Sequence, residues 1–130
     1  MEERHSILII EDEEIIRSSI KLMLKDLPNA TIYEASHLAQ ASEFLKAYEI
    51  DVILLDIYLE DKTTGIEYID AIMNESEHSQ IIMISSDRTM DIIITSIKKG
   101  AFYYLNKPID KDDLLLLVDK ALKICRMSYS

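Results

Sequence analysis

Five short runs of β-branched and aliphatic residues alternate along this chain with longer segments whose apolar residues recur at helical spacing. Each run has four to six residues, which is the length of an ordinary strand. The runs cover residues 6–10, 30–35, 52–55, 81–84 and 101–105. They therefore predict five strands, each followed by a helical segment.

The helical segments each predict one helix with an apolar face toward the core. The last helix is predicted to begin after Pro108, where Asp110 is placed to cap it. In chain order the predicted faces are Ile16, Ile20, Met23, Leu24 and Leu27; Leu38, Ala41, Leu45 and Tyr48; Ile66, Ile69 and Met73; Met90, Ile93, Ile94 and Ile97; and Leu114, Leu117, Val118, Ala121, Leu122 and Cys125.

Strands that alternate with helices favour a parallel sheet, because parallel neighbours need crossover connections and a helix provides one. Only two glycines and two prolines interrupt the chain, and no repeat or linker-like stretch divides it. The sequence therefore predicts one α/β domain of the (βα)5 type, with a doubly wound five-stranded parallel sheet and helices on both faces. Folds of this type place their sites outside the carboxyl ends of the strands.

Length and composition agree with a single domain and exclude several classes of protein. With 130 residues, 48% of them hydrophobic, the chain can bury a core without a disulfide, and its single cysteine cannot form an internal one. No apolar run reaches the roughly 18 residues of a membrane span. A net charge of −10 repels nucleic-acid phosphates. Since its first residues do not resemble a signal peptide, the chain is expected in the cytoplasm, bound directly to neither nucleic acid nor membrane.

Polar residues follow four of the predicted strands, at the edge where a site is expected. Glu11 and Asp12 follow the first strand, Asp56 the third, Ser85 the fourth and Lys107 the fifth. Each has an ordinary explanation when taken alone, since acids favour helix starts and a serine or lysine commonly ends a strand. Their convergence at one edge indicates a functional site.

A cluster of three carboxylates calls for a cation, because like charges held close together repel each other. Mg²⁺ and Lys107 would supply positive charge, and proteins hold Mg²⁺ with one or two carboxylates together with phosphate oxygens. An aspartate carboxylate can attack phosphorus to form an acyl phosphate, while a metal and a lysine stabilise the transferred group. The cluster is therefore suited to phosphoryl transfer onto an aspartate, and the Ser85 hydroxyl could then bond a phosphoryl oxygen.

Four stretches of the sequence resemble the receiver domain of two-component response regulators, and the resemblance covers essentially the whole chain. The stretches are ILIIEDEE (7–14), DVILLDIYL (51–59) with Gly65 following, IIMISS (81–86) and GAFYYLNKP (100–108). The resemblance implies a CheY-like domain with the flavodoxin-like strand order 2-1-3-4-5.

The same resemblance assigns a role to each candidate residue. Asp56 would be the phosphoacceptor and Lys107 the lysine that assists the transfer. Ser85 would be the switch hydroxyl and Tyr104 the switch aromatic. The Mg²⁺ ligands would be Glu11, Asp12, Asp56 and the backbone carbonyl of Tyr58.

These roles imply a signalling switch rather than an enzyme, phosphorylated on Asp56 by a sensor histidine kinase. Two departures from the family pattern leave an alternative open. Glu11 stands where family members often carry aspartate, and after the acceptor Glu60 replaces a common proline and Gly65 comes one residue late. The alternative is a receiver-like protein-interaction module that is not phosphorylated.

Other enzyme classes are less well supported by the same residues. Phosphatases similar to the haloacid-dehalogenase type carry an Asp-x-Asp motif, in which a second acid stands two residues after the nucleophile. In this chain the residue two positions after Asp56 is Tyr58. A nucleotide-binding fold would show a glycine-rich loop after the first strand, and this chain has none there.

Surplus apolar residues predict a contact surface on the fourth helix, fifth strand and fifth helix. Ile92, Tyr103, Leu115 and Leu116 lie outside the predicted core faces. This surface would bind a partner or form a homodimer. The receiver domain is predicted to cover residues 1–125, with 126–130 as a C-terminal tail or the start of a linker to an effector domain.

Overall fold

A five-stranded parallel sheet with helices on both faces forms the computed structural model, which describes residues 4–57, 65–87 and 89–128, with side chains as far as residue 125. The strands are β1 (His5–Ile10), β2 (Ala30–Ala35), β3 (Val52–Asp56), β4 (Gln80–Ser85) and β5 (Tyr103–Asn106). The helices are α1 (Glu14–Met23), extended by the 3-10 turn Leu24–Asp26, α2 (Leu38–Ala47), α3 (Gly65–Glu75), α4 (Met90–Lys98) and α5 (Lys111–Ser128). The strand order β2-β1-β3-β4-β5 confirms the predicted fold class.

The register of the strands brings their carboxyl ends to one rim of the sheet. Ile10 pairs with Leu55 across β1 and β3, and Asp56 pairs with Ile84 across β3 and β4. Strand order reverses at β1, which has β2 on one side and β3 on the other. The residues that follow β1 and end β3 are therefore neighbours at the rim where sites of this fold class lie.

Alternating side chains of the sheet supply two hydrophobic layers. Leu8 and Ile53 face the layer completed by α2 and α3, whereas Ile7 and Leu54 face the layer completed by α1 and α5. Every residue of β3 is buried, because helices cover both faces of this central strand. The short aliphatic runs of the sequence are therefore explained by burial on two sides.

Helix α4 is oriented differently from the prediction. Its fully buried residue is Ser96, while Ile92 and Ile93 are half-buried against the core. The Ser96 hydroxyl donates to the Ile92 carbonyl at 2.8 Å, so its burial leaves no unsatisfied polar group. The predicted inward residues that prove to be exposed are Met90, Ile94 and Ile97. Placing Ile92 on the outer surface was therefore also wrong.

Smaller differences concern the ends of elements and the outer surface. β5 begins at Tyr103 rather than at residue 101, and Tyr48 lies just beyond α2, exposed and stacked on Tyr33. Leu115 packs against the core, so it does not belong to the predicted contact surface, whereas Tyr103 and Leu116 are exposed as predicted.

The last helix begins as predicted. Asp110 caps α5, because its carboxylate accepts from the backbone N–H of Asp113 at 3.1 Å. The helix continues to Ser128, past the predicted domain boundary at residue 125, which stays a prediction. Within the described part of the chain, no helix combines the length and the apolar character needed to cross a membrane.

Candidate functional site

The rim of the sheet brings the candidate residues together. Glu11 follows β1 and is 1% exposed, and Asp56 ends β3 and is 5% exposed. Ser85 ends β4 and is 1% exposed, and Lys107 follows β5. Two carboxylates at this depth are unusual for a protein core, because a buried charge is costly unless other groups compensate it.

Three carboxylates form the centre of the site. Glu11, Asp12 and Asp56 each offer an oxygen, and these three oxygens lie within 4.8 Å of one another. Oxygen ligands of this kind suit a hard divalent cation such as Mg²⁺. The half-buried Asp12 opens the cluster to solvent, which leaves access for an ion that keeps part of its water shell. The residues present therefore fit the predicted metal.

Among the described residues, Lys107 is a cation in contact with this cluster. Its Nζ lies 3.2 Å from Oε2 of Glu11 and 3.5 Å from Oδ1 of Asp56. The backbone N–H of Lys107 donates to the Ser85 carbonyl at 2.9 Å, which holds the lysine beside the end of β4.

The surroundings of Glu11 change its proton affinity. Burial, together with the hydrogen bond and negative charge of Asp56, raises the pKa of Glu11 to about 7 against the opposing effect of Lys107. Near neutral pH the metal-free site therefore relieves its repulsion in part by binding a proton. A divalent cation would provide the same relief and displace the proton.

Ser85 and Tyr104 are joined through the loop between β4 and α4. The Ser85 hydroxyl accepts from the backbone N–H of Asp87 at 3.0 Å, and the Tyr104 hydroxyl donates to the Asp87 carbonyl at 2.5 Å. The Asp87 carboxylate in turn accepts from the backbone N–H of Thr89, directly before α4. Burial raises the pKa of Tyr104, so its hydroxyl remains a proton donor. Hydrogen bonds of Asp87 therefore connect Ser85 to the start of α4.

Gly65 packs against the backbone of Asp56. Its N–H donates to the Ile57 carbonyl at 2.5 Å, and a Cβ at this position would overlap the Asp56 carbonyl oxygen and lie 3.2 Å from the carbonyl carbon. Only glycine therefore lets α3 begin this close to the end of β3. The predicted metal-binding carbonyl of Tyr58 lies outside the described residues, as does Glu60.

Arg17 is a site-facing residue that the sequence analysis missed. Its Nη1 donates to the backbone carbonyl of Glu11 at 2.8 Å. A basic residue beside the apolar face of α1 and one turn after the acidic run 11–14 is the sequence signal that could have identified it.

Comparisons with known proteins agree with the fold and indicate a family. The chemotaxis protein CheY of Listeria monocytogenes is 29% identical over 90% of this chain and 98% of its own length. An NtrX-like response regulator of Rickettsia bellii is 30% identical over 93% of this chain, which spans about a quarter (25%) of that longer protein. The solution structure of the beryllofluoride-activated NtrC4 receiver domain dimer matches with a TM-score of 0.86 and 31% identity, covering 92% of this chain and 98% of that one.

The fold and the site define a flavodoxin-like α/β signalling domain with a carboxylate cluster beside a lysine. The model of the response regulator receiver domain family matches residues 7–119, and the chain belongs to that family. It is a receiver domain of the two-component type, which acts as a signalling switch rather than as a classical enzyme.

Proposed function

We propose that Asp56 accepts a phosphoryl group from the phosphohistidine of a sensor histidine kinase. The observation that carries this proposal is a buried aspartate at the end of β3, flanked by two further carboxylates and 3.5 Å from Lys107 Nζ. An Asp56 oxygen attacks phosphorus, the phosphorus–nitrogen bond breaks, and the imidazole nitrogen keeps the electron pair and takes a proton. The product is an acyl phosphate, which water later hydrolyses to phosphate and the free carboxylate.

Residues around Asp56 support this transfer by their placement. Glu11, Asp12 and Asp56 would hold Mg²⁺, which supplies positive charge for the phosphoryl oxygens. Lys107 contacts Asp56 and lies where it can bond a phosphoryl oxygen once the acceptor is modified. Ser85 offers a hydroxyl at the end of the neighbouring strand, which pairs with β3.

The proposed switch runs through Asp87. When the Ser85 hydroxyl turns to the phosphoryl group, it gives up the hydrogen bond from the Asp87 backbone. The same residue holds the Tyr104 hydroxyl and the start of α4, so the loop, the ring and the helix readjust together. Phosphorylation thereby shifts an equilibrium between two arrangements of this face.

The acceptor is tested with acetyl phosphate and Mg²⁺ as the phosphodonor system, read by intact-mass spectrometry. The expected result is one labile phosphoryl adduct, lost in Asp56→Asn and retained in Asp91→Asn, which removes an exposed carboxylate of α4. An adduct that persists in Asp56→Asn would overturn the acceptor assignment. No adduct in the unmodified chain, together with no Mg²⁺-dependent rise in melting temperature, would favour the interaction module that is not phosphorylated.

The exposed apolar face of α4, β5 and α5 is the proposed output surface, and its proposed occupant is a second copy of this chain. Ile94, Ile97, Tyr103 and Leu116 are 43%, 44%, 50% and 54% exposed, which is much apolar surface for one side of a small domain. The similar NtrC4 receiver domain is described as a dimer in its activated state. A homodimer would bury these side chains.

Light scattering at increasing concentration, with and without acetyl phosphate, tests the dimer. Leu116→Glu is expected to keep the chain monomeric, whereas Leu22→Glu, which changes a 64% exposed leucine on α1, is expected to leave association unchanged. Equal effects of the two substitutions would refute this surface. An effector domain after residues 126–130 and a cytoplasmic location remain predictions.

A further inference from the structure

We propose that Arg17 is a positioning residue for the metal site, acting through the peptide bond between Glu11 and Asp12. This inference rests on the Mg²⁺ site proposed above. In it, Arg17, which is not a member of the carboxylate cluster, fixes the position of Asp12. Its basis is the way in which the backbone of Glu11 is held on both sides.

The backbone of Glu11 leaves the sheet at the point where the site begins. Its N–H donates to the Ala35 carbonyl at the end of β2, at 3.0 Å. Its carbonyl accepts from Nη1 of Arg17 at 2.8 Å. Because β1 ends at Ile10 and α1 begins at Glu14, this carbonyl lies outside both the strand and the helix that follows.

The position of this carbonyl determines where Asp12 lies. The Glu11 carbonyl and the Asp12 N–H belong to one rigid peptide plane, so fixing the oxygen also fixes the direction of the chain into Asp12. Asp12 is half-buried and is the member of the carboxylate cluster that follows this plane directly. A rotation of the plane would move the Asp12 carboxylate relative to Glu11 and Asp56. Mg²⁺ demands nearly ideal ligand geometry, so such a movement would weaken binding.

Arg17 is itself held in place by β2. Its Nε lies 3.4 Å from Oε1 of Glu34, but the alignment is not that of a hydrogen bond. The side chain is only 16% exposed, so its contact with the Glu11 carbonyl is shielded from water. Among the described residues, the short, directional contact of this guanidinium is therefore the hydrogen bond to the Glu11 carbonyl. The negative charge of Glu34 attracts the Arg17 guanidinium and helps to hold it beside the Glu11 carbonyl.

Lys21 provides a matched comparison on the same helix. Its Nζ lies 3.1 Å from Oε2 of Glu34, so Lys21 and Arg17 share one acidic partner. Among the described residues, Lys21 contacts Glu34 and makes no hydrogen bond or ion pair with Glu11, and its side chain is 53% exposed. Replacing either residue by methionine removes one positive charge and one contact with Glu34. Only the change at Arg17 also releases the Glu11 carbonyl.

The test is the dissociation constant for Mg²⁺, measured by isothermal titration calorimetry on the metal-free chain at pH 8. Arg17→Met is expected to raise this constant on the order of tenfold, the usual cost of losing a group that orients metal ligands. Lys21→Met is expected to leave it unchanged, since an exposed ion pair contributes little. Arg17→Lys, which keeps one donor for the carbonyl, is expected to recover part of the affinity. The free energy of unfolding in EDTA is measured alongside.

The outcomes separate positioning from a purely structural role. Equal Mg²⁺ affinities for Arg17→Met and the unmodified chain, or equal losses in Arg17→Met and Lys21→Met, would overturn the proposal even if stability falls. If Arg17→Met does not fold, Arg17→Gln repeats the test with a polar side chain too short to reach the carbonyl. An unmodified chain that binds no Mg²⁺ would overturn the metal site itself, and the positioning role with it.

Discussion

The raised proton affinity of Glu11 predicts a pH dependence of stability that one substitution should remove. Burial and the neighbouring Asp56 raise the pKa of Glu11 from 4.5 to about 7 in the folded, metal-free chain. Between these two values the folded state holds a proton that the unfolded state has lost. Stability from this group is therefore fully present below about pH 4.5 and is lost as the pH rises through 7.

The size of the effect follows from the shift. Each pKa unit corresponds to about 1.4 kcal/mol, so Glu11 alone lowers the free energy of unfolding by about 3 kcal/mol between pH 4.5 and pH 8. Glu11→Gln replaces the acid by a neutral group that still carries a donor for Asp56. The variant should be more stable than the unmodified chain at pH 8, and the difference should vanish toward pH 4.5.

Urea unfolding in EDTA, followed by far-UV circular dichroism because the chain lacks tryptophan, gives both pH profiles. Glu67→Gln serves as the control, since Glu67 is exposed on α3 and its substitution should not alter the pH dependence. Superimposable profiles for the Glu11→Gln variant and the unmodified chain would refute the reasoning. In Mg²⁺ the unmodified chain should show the opposite trend, because binding competes with the proton and strengthens as the pH rises toward 8.

Two further predictions concern the backbone and the loop around the site. Gly65→Ala should destabilise the fold by about 1–3 kcal/mol and slow phosphorylation from acetyl phosphate, because its methyl group displaces the Asp56 backbone. Gly100→Ala, which strains a residue at φ +117° beyond α4, should reduce stability while leaving the phosphorylation rate unchanged; equal rate losses would contradict this explanation. Tyr104→Phe removes the hydroxyl bond to Asp87 and should cost about 1 kcal/mol in urea unfolding, together with faster amide exchange in the loop before α4. An unchanged exchange rate would argue against that role.

The fold and the assembly of the site were predictable because burial and parallel pairing act on short, clear patterns. The aliphatic run before Asp56 is buried on both faces, and strand order then places Asp56 beside the end of β1. The roles of the individual residues follow only from the resemblance and remain proposals.

Other features could not be predicted because they depend on distances across the fold. Helix α4 carries apolar residues on two faces, and periodicity alone did not reveal that Ser96 faces the core. The sequence pattern can mark Arg17 as a basic residue near the acidic run 11–14, but its contact with the Glu11 carbonyl depends on how α1 folds back on the strand. The raised pKa of Glu11 likewise requires its burial depth and its closeness to Asp56.

The unusual seating of α4 has a consequence for local opening. The fully buried residue of this helix is a serine, Ile92 and Ile93 are only half-buried, and Ile94 and Ile97 are 43% and 44% exposed. The helix therefore loses less apolar contact than a fully packed helix when it separates from the sheet. Its backbone amides should exchange with deuterium through small openings, whereas those of the central strands should exchange only when the whole domain unfolds. We therefore expect α4 to open at a lower free-energy cost than the central sheet, which should unfold as one cooperative unit.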